Sequence, residues 1–189
     1  VVVDPRRKVL RRLAPSRVAL TLDLWKGAPS PDLLEPLARA EEAYTAAEWP
    51  NADKALDQLS VRFAEPRWPT MPTPFRDLRV AIPAPMPPQW NPEHTLEPEE
   101  KERRRLRRFA DLQIALAKAC VELYVKRGVP SDDLATRATE AERVLGTSGA
   151  DEAFWTEVDA IWDAVRERTP MPTRGGPKPV APAPAHGTP

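Results

Sequence analysis

The chain repeats itself, and that self-similarity limits its fold more than any single motif does. Residues 7–66 and 103–168 align in three ungapped blocks separated by small insertions. In the first, Leu10-Arg11-Arg12-Leu13-Ala14 stands over Leu106-Arg107-Arg108-Phe109-Ala110, and Val18-Ala19-Leu20 over Ile114-Ala115-Leu116, at a spacing of 96. At a spacing of 101, Gly27-Ala28-Pro29-Ser30 stands over Gly128-Val129-Pro130-Ser131, Asp32-Leu33 over Asp133-Leu134, and Ala40-Glu41 over Ala141-Glu142. At 102, Ala52, Leu56, Leu59 and Phe63 fall on Phe154, Val158, Ile161 and Val165, and Asp57 falls on Asp159. Three blocks in one order read as an ancient duplication, so both halves are expected to share a fold.

Periodicity makes each half three helices. The second helices carry Leu33, Leu37, Ala40, Tyr44 and Ala47 in one half and Leu134, Ala138, Ala141 and Leu145 in the other, stepping by three and four as a buried helical stripe requires. The third helices carry the stripes matched at 102. The fourth helix is expected to start near Pro98, where Glu99, Glu100 and Glu102 suit the positive end of the dipole, and to run to Lys126-Arg127 before Gly128. That is about 28 residues, or about 42 Å. Its counterpart contains Pro15, which lacks an amide donor and predicts a kink or a fresh start. Pro36 leaves the start of the second helix anywhere between Ser30 and Glu35. The repeated Gly-x-Pro-Ser has a structural reading, with Gly27 and Gly128 at positive φ past a helix end and Ser30 and Ser131 capping the next helix, beside Asp32 and Asp133. An anion-binding turn is the alternative.

Small residues at the helix crossings, Ala40, Ala43 and Ala52, followed by Pro66, give the hairpins Leu37 to Phe63 and Ala138 to Val165 a resemblance to tetratricopeptide-type units. The resemblance implies close antiparallel packing. The Gly-x-x-Tyr element of that family is missing, and no binding residue is carried over.

Proline then divides the chain. Its 24 prolines, against 7 glycines in 189 residues, exceed the usual share more than twofold, and ten of them lie in 66–98 and seven in 170–189. The expected organisation is all-α: a first three-helix unit in 5–66, a proline-rich apolar strap in 67–98, a second three-helix unit in 99–169 and a disordered proline-rich tail in 170–189. The tail has Met171 and Val180 as its only large apolar residues. The insert carries Trp68, Met71, Phe75, Leu78, Val80, Ile82, Met86 and Trp90, too apolar to float freely, and is expected to lie extended across the helices. Within it, residues 77–82 alternate with period two as one short strand would, able to pair with a partner's edge.

Chemistry is harder to find. The 28 basic and 28 acidic residues cancel, which excludes a bulk polycation or polyanion. One cysteine, Cys120, excludes a disulfide framework and a cysteine-rich zinc site, fits a reducing, cytoplasmic setting, and reads as a small buried hydrophobe beside Leu116, Leu123 and Tyr124. No run of about 18 apolar residues is present, and Val1–Val3 before Asp4 and Pro5 is too short for a secretory core. The chain begins without Met, as a processed or excised piece would, which leaves a removed signal or anchor open. His94 and His186 fall in the insert and the tail, where rigid support is hard to build. The acidic pairs Glu152 with Asp159 and Asp159 with Asp163 read as a solvated face, and no glycine-rich phosphate loop occurs. No enzyme activity, cofactor, metal site or small-molecule substrate is therefore expected.

Two candidate surfaces follow. The arginine clusters, with Arg7, Arg11 and Arg12 in one half and Arg103, Arg104, Arg107 and Arg108 in the other, occupy the same place in both repeats and would suit phosphates or an acidic protein or lipid surface. The competing reading is an ordinary helix face paired internally through Glu99–Arg103 and Glu100–Arg104, without interleaved aromatics to stack on single strands. The strap offers Trp68, Phe75, Leu78, Val80, Ile82 and Trp90 to a protein partner or a second copy. The function expected is a non-catalytic protein–protein interaction module, an adaptor, scaffold or assembly subunit. A nucleic-acid-binding helical protein using the arginine clusters is the alternative.

Overall fold

A computed structural model describes residues 4–25, 31–63 and 96–169, with the side chains of 4–18, 34–59 and 96–169. The strap candidates Trp68, Phe75, Leu78, Val80, Ile82 and Trp90, the short strand expected at 77–82, the tail, and Gly27 and Ser30 of the first corner lie outside the described residues. The described chain is all-helical: α1 (Pro5–Trp25), α2 (Pro31–Thr45), α3 (Trp49–Phe63), α4 (Pro98–Lys126), α5 (Asp132–Thr147) and α6 (Glu152–Arg168). Among the described residues no helix is long and apolar enough to cross a membrane.

Local chemistry sets most of these boundaries. α4 opens on Pro98, whose missing amide costs nothing in a first turn, with Glu99 and Glu100 at the positive end of the dipole and Lys126 at the other. It closes where Gly128 takes φ +68°, letting the Val129 amide donate to the Tyr124 carbonyl at 2.9 Å and the Gly128 amide to the Val125 carbonyl at 3.1 Å. α2 ends with the same pair of bonds, Glu48 N to Ala43 O at 2.8 Å and Ala47 N to Tyr44 O at 3.2 Å, although the left-handed residue there is Ala47. α6 is capped by Asp151, whose carboxylate accepts from the Phe154 amide at 3.0 Å.

Two local readings meet the structure. Of the kink or fresh start expected at Pro15, the fresh start is absent, because α1 is one helix through it. The ring removes one amide, but Leu10, Leu13, Ala14 and Val18 on both sides of it are fully buried, and Ser16 Oγ donates to the Arg12 carbonyl at 2.9 Å. Tertiary burial there outweighs the lost helical bond. Ser131 stands before α5 but makes no side-chain capping bond. The Asp133 carboxylate is drawn to Arg168, at 2.7 Å and 3.0 Å.

α2 and α3 form a tight hairpin, as do α5 and α6, and α1 packs against α6, α2, α4 and α3. One core results, taking residues from every helix, with Trp162, Tyr124 and Phe154 its largest members. The matched stripes are buried in both halves: Leu37 with Ala138, Ala40 with Ala141, Leu56 with Val158, and Leu59 with Ile161. The polar interior is bonded where Trp162 Nε1 donates to Gln113 Oε1 at 2.8 Å and where the Tyr124 hydroxyl meets that of Thr169.

Candidate interaction surface

α1 shows what its basic segment was built to meet. Arg7 and Arg11, one turn apart, form one stripe, and Lys8 and Arg12 form the next. Arg7 Nη1 donates to Asp163 at 2.6 Å and approaches Asp159 at 3.6 Å, while Arg11 Nε donates to Asp159 at 3.0 Å. Those acids lie four residues apart on α6. On the other side Arg12 donates to Asp53 and Asp57 of α3, each at 2.6 Å, and Lys8 joins Asp53. The acids on α3 are again four residues apart. Burial pushes the Asp53 carboxyl up, but the hydrogen bonds and charges of Lys8 and Arg12 together outweigh it and hold the group below its ordinary value. Arg11 also stacks on Trp155, 4.2 Å from the ring centre, and its side chain is only 5% exposed.

Deeper along α1, Arg17 reaches Glu41 of α2 at 3.3 Å and donates to the Arg166 carbonyl at 2.9 Å. Arg166 of α6 donates to the same Glu41 at 3.3 Å and lies over the Tyr44 ring at 4.7 Å. Two guanidiniums thus share one carboxylate, with Arg17 and Glu41 buried and Arg166 half-buried, and Arg17 Nε, Glu41 Oε1 and Arg166 Nε find no hydrogen-bond partner. Desolvation lowers the Arg17 guanidinium from its ordinary value; Glu41 opposes this and Arg166 adds to it.

The acids of this cradle correct the solvated reading of α6. Asp159 and Asp163 bind α1, and Asp159 is largely buried. Arg17, Arg166 and Asp53 carried no signal of their role in the sequence, whereas Glu41 recurs as Glu142, Asp57 recurs as Asp159, and Asp163 stands one turn from Asp159.

The arginine-rich segment at the start of α4 has a different environment. Residues 98–109 contain no buried residue, and the first is Ala110. Arg103 and Arg104 share Glu100, the latter at 2.8 Å; Arg105 lies 3.9 Å from Glu102; Arg107 donates to Asp111 at 3.2 Å and to the Leu145 carbonyl at 3.3 Å. Arg108 is also engaged. The expected Glu100–Arg104 pair is present, while Arg103 turns to Glu100 rather than Glu99. The side chains of Arg103 and Arg105 are 79% and 82% exposed. Leu106 is half-buried, as is Phe109, which tilts against Trp155 with ring centres 5.6 Å apart.

Elsewhere the described surface offers less. A shallow groove of about 430 Å³ between α2 and α3 is floored by Ala43, Ala46 and Ala55 and rimmed by Arg39, Glu42 and Lys54, charges of both signs that select no ligand. Cys120 is fully buried, and burial pushes its thiol up, away from the reactive thiolate. Among the described residues no group of three or more His, Cys, Asp or Glu is placed to hold a metal ion. Compared with protein-family models, with curated proteins and with solved structures, the chain matches none.

Proposed function

We propose that the chain is a non-catalytic helical protein–protein interaction module, an adaptor, scaffold or assembly subunit, built from two related three-helix units. The observation that carries this reading is residues 98–109 of α4, a basic helical segment about 18 Å long in which no residue is fully buried. A helical segment of that length is marginal alone in water, and here it continues from a long helix anchored in the core. Such an extension contributes little to the core and much to reach. The duplication is supported by the burial of the matched stripes in both halves and by Ala47 and Gly149, which share positive φ at the spacing of 102.

The nucleic-acid alternative called for two equivalent basic patches. Arg7, Arg11 and Arg12 are held by carboxylates of α3 and α6, which leaves one patch, and that patch is interspersed with Glu99, Glu100, Glu102 and Asp111. Affinity capture with and without nuclease, at low and moderate salt, tests the choice, because phosphate neutralisation makes binding fall steeply with ionic strength. Nuclease-resistant capture that is lost on charge reversal of Arg103, Arg104, Arg107 and Arg108, or on replacing Trp68 and Trp90 by alanine, is the expected result. Capture abolished by nuclease would overturn the reading.

A further inference from the structure

The fold contains the same basic segment twice, once docked and once open, and the docked copy shows the chemistry that the open one fits. Arg7, Leu10, Arg11, Arg12 and Ala14 recur as Arg103, Leu106, Arg107, Arg108 and Ala110, with Lys8 as Arg104 and Leu13 as Phe109. In α1 these residues grip two pairs of aspartates, Asp53 with Asp57 and Asp159 with Asp163, each pair one turn apart on a helix. Asp159, which is the repeat counterpart of Asp57, is held by α1, and in α4 Arg103 and Arg104 pair with Glu100 and Arg107 with Asp111 of the same helix. We infer that residues 103–109 of α4 are the docking surface for a partner protein that presents a helix with aspartate or glutamate residues one turn apart beside apolar side chains.

Three further observations carry this. The present partners of Arg103, Arg104, Arg105 and Arg107 include same-helix carboxylates three or four residues away, contacts that are weak at an exposed surface and readily exchanged. Leu106 and Phe109 hold part of their surface in water, whereas their counterparts Leu10 and Leu13 are fully buried. Val9, buried in α1, is replaced in α4 by the exposed Arg105, so the α4 copy cannot sink into a core as α1 does and is suited to a face-to-face contact. A second copy of this chain is a poorer occupant, because its aspartate cradle is already filled by a covalently tethered α1 at high effective concentration.

The inference rests on the interaction reading, and the test separates the two. The probe is a fluorescent helix-stapled peptide with the sequence of α6, residues 152–168, titrated into the full chain. Saturable binding is expected, weakened about tenfold or more by Asp159→Asn with Asp163→Asn in the peptide, or by Arg103→Glu with Arg107→Glu in the protein. Arginines at both aspartate positions of the peptide should restore binding to the doubly reversed protein. Circular dichroism and thermal melting check that the reversed protein, altered only at exposed positions, stays folded. No binding, or binding indifferent to the α4 reversals, would overturn the inference while leaving the interaction reading standing if nuclease-resistant capture still depends on those arginines. Preferential binding of a 20-base-pair duplex through the same arginines would overturn both. Sedimentation showing a dimer that the α4 reversals dissolve, or preferential binding of phosphatidylserine vesicles, would replace the acidic helix with a second copy or a lipid surface and likewise overturn it.

Discussion

Ala47 and Gly149, 102 residues apart, are the only described residues in the two helix-hairpin turns with positive φ, at 59° and 81°. Each lies just beyond the second helix of its half, where the chain reverses. A left-handed alanine costs about 1–2 kcal/mol more than a right-handed one, and glycine avoids that cost at some entropic expense. Ala47→Gly is therefore expected to stabilise the fold by about 0.5–1 kcal/mol, read as a higher urea midpoint at unchanged slope. Gly149→Ala should lower the midpoint by a similar amount through backbone strain alone, because nothing lies within 4 Å of the added Cβ. A lower midpoint for Ala47→Gly would contradict this account of the turn.

Glu41 neutralises the buried guanidinium of Arg17 and the half-buried one of Arg166. Removing only the acid leaves both uncompensated, so Glu41→Gln should destabilise by about 3–5 kcal/mol. Replacing the whole triad with apolar residues, Arg17→Met, Glu41→Leu and Arg166→Met together, should restore most of that loss. Calorimetric melting of the two proteins checks the contrast, and a triple variant weaker than Glu41→Gln would show that the pairs themselves stabilise the fold.

The Trp162–Gln113 hydrogen bond lies wholly inside the core. Trp162→Phe strands the Gln113 carbonyl oxygen and should cost about 1–3 kcal/mol beyond the lost packing. Adding Gln113→Leu removes the stranded group, so the double variant should be more stable than the sum of the two single losses. A double-mutant cycle with no coupling would refute the role assigned to this bond.

Asp53 has its carboxyl held below the ordinary 3.8, chiefly against the upward push of burial, by Lys8 and Arg12. A depressed folded-state value contributes stability that is present above the unfolded value and lost as pH falls through the folded one. Wild type should thus exceed Asp53→Asn by a constant margin above about pH 5, and that margin should vanish on acidification below 3.8. Chemical denaturation of both proteins from pH 7 to 2 measures it; a margin that persists at pH 2 would place the effect elsewhere.

Cys120 is completely shielded in α4, and its thiol is shifted up by burial alone. Modification by an aromatic disulfide reagent should be negligible in the native protein and should rise with urea in parallel with unfolding. Rapid labelling without denaturant would mean that α4 opens locally around residue 120.

The sequence carried the helices well where local chemistry decides them. Pro98 and Gly128 bracket α4, and the stripes through Leu56 and Val158 are buried as their spacing requires. It failed where distant contacts decide. Pro15 could not announce that α1 would continue through it against core residues, nor Ser131 that it would leave the cap unmade. The two arginine clusters look alike because the difference lies in their partners, and α1 finds Asp159 and Asp163 some 148 and 156 residues away. One local sign did distinguish them: Val9 extends the apolar face of the first segment, and Arg105 interrupts that of the second. Trp68 and Trp90, with the rest of the insert, fall outside the described chain.

The docking of α1 on α6 also sets an order of events. During synthesis at about 5–20 residues per second, the first helix emerges long before the acids that hold Arg7 and Arg11 have been made. Until α6 appears, Arg7 and Arg11 lack their counter-ions, while Lys8, Arg12 and Arg17 already have theirs on α3 and α2, and the loop that must close to bring Arg7 to Asp163 spans 156 residues. The second half can assemble α4, α5 and α6 from near neighbours, while the first half must wait for the last helix to complete its charge pairing. Docking of α1 is thereby tied to the synthesis of α6, and a ribosome stalled before residue 159 would hold a chain in which Arg7 and Arg11 are open to whatever acidic surface reaches them first.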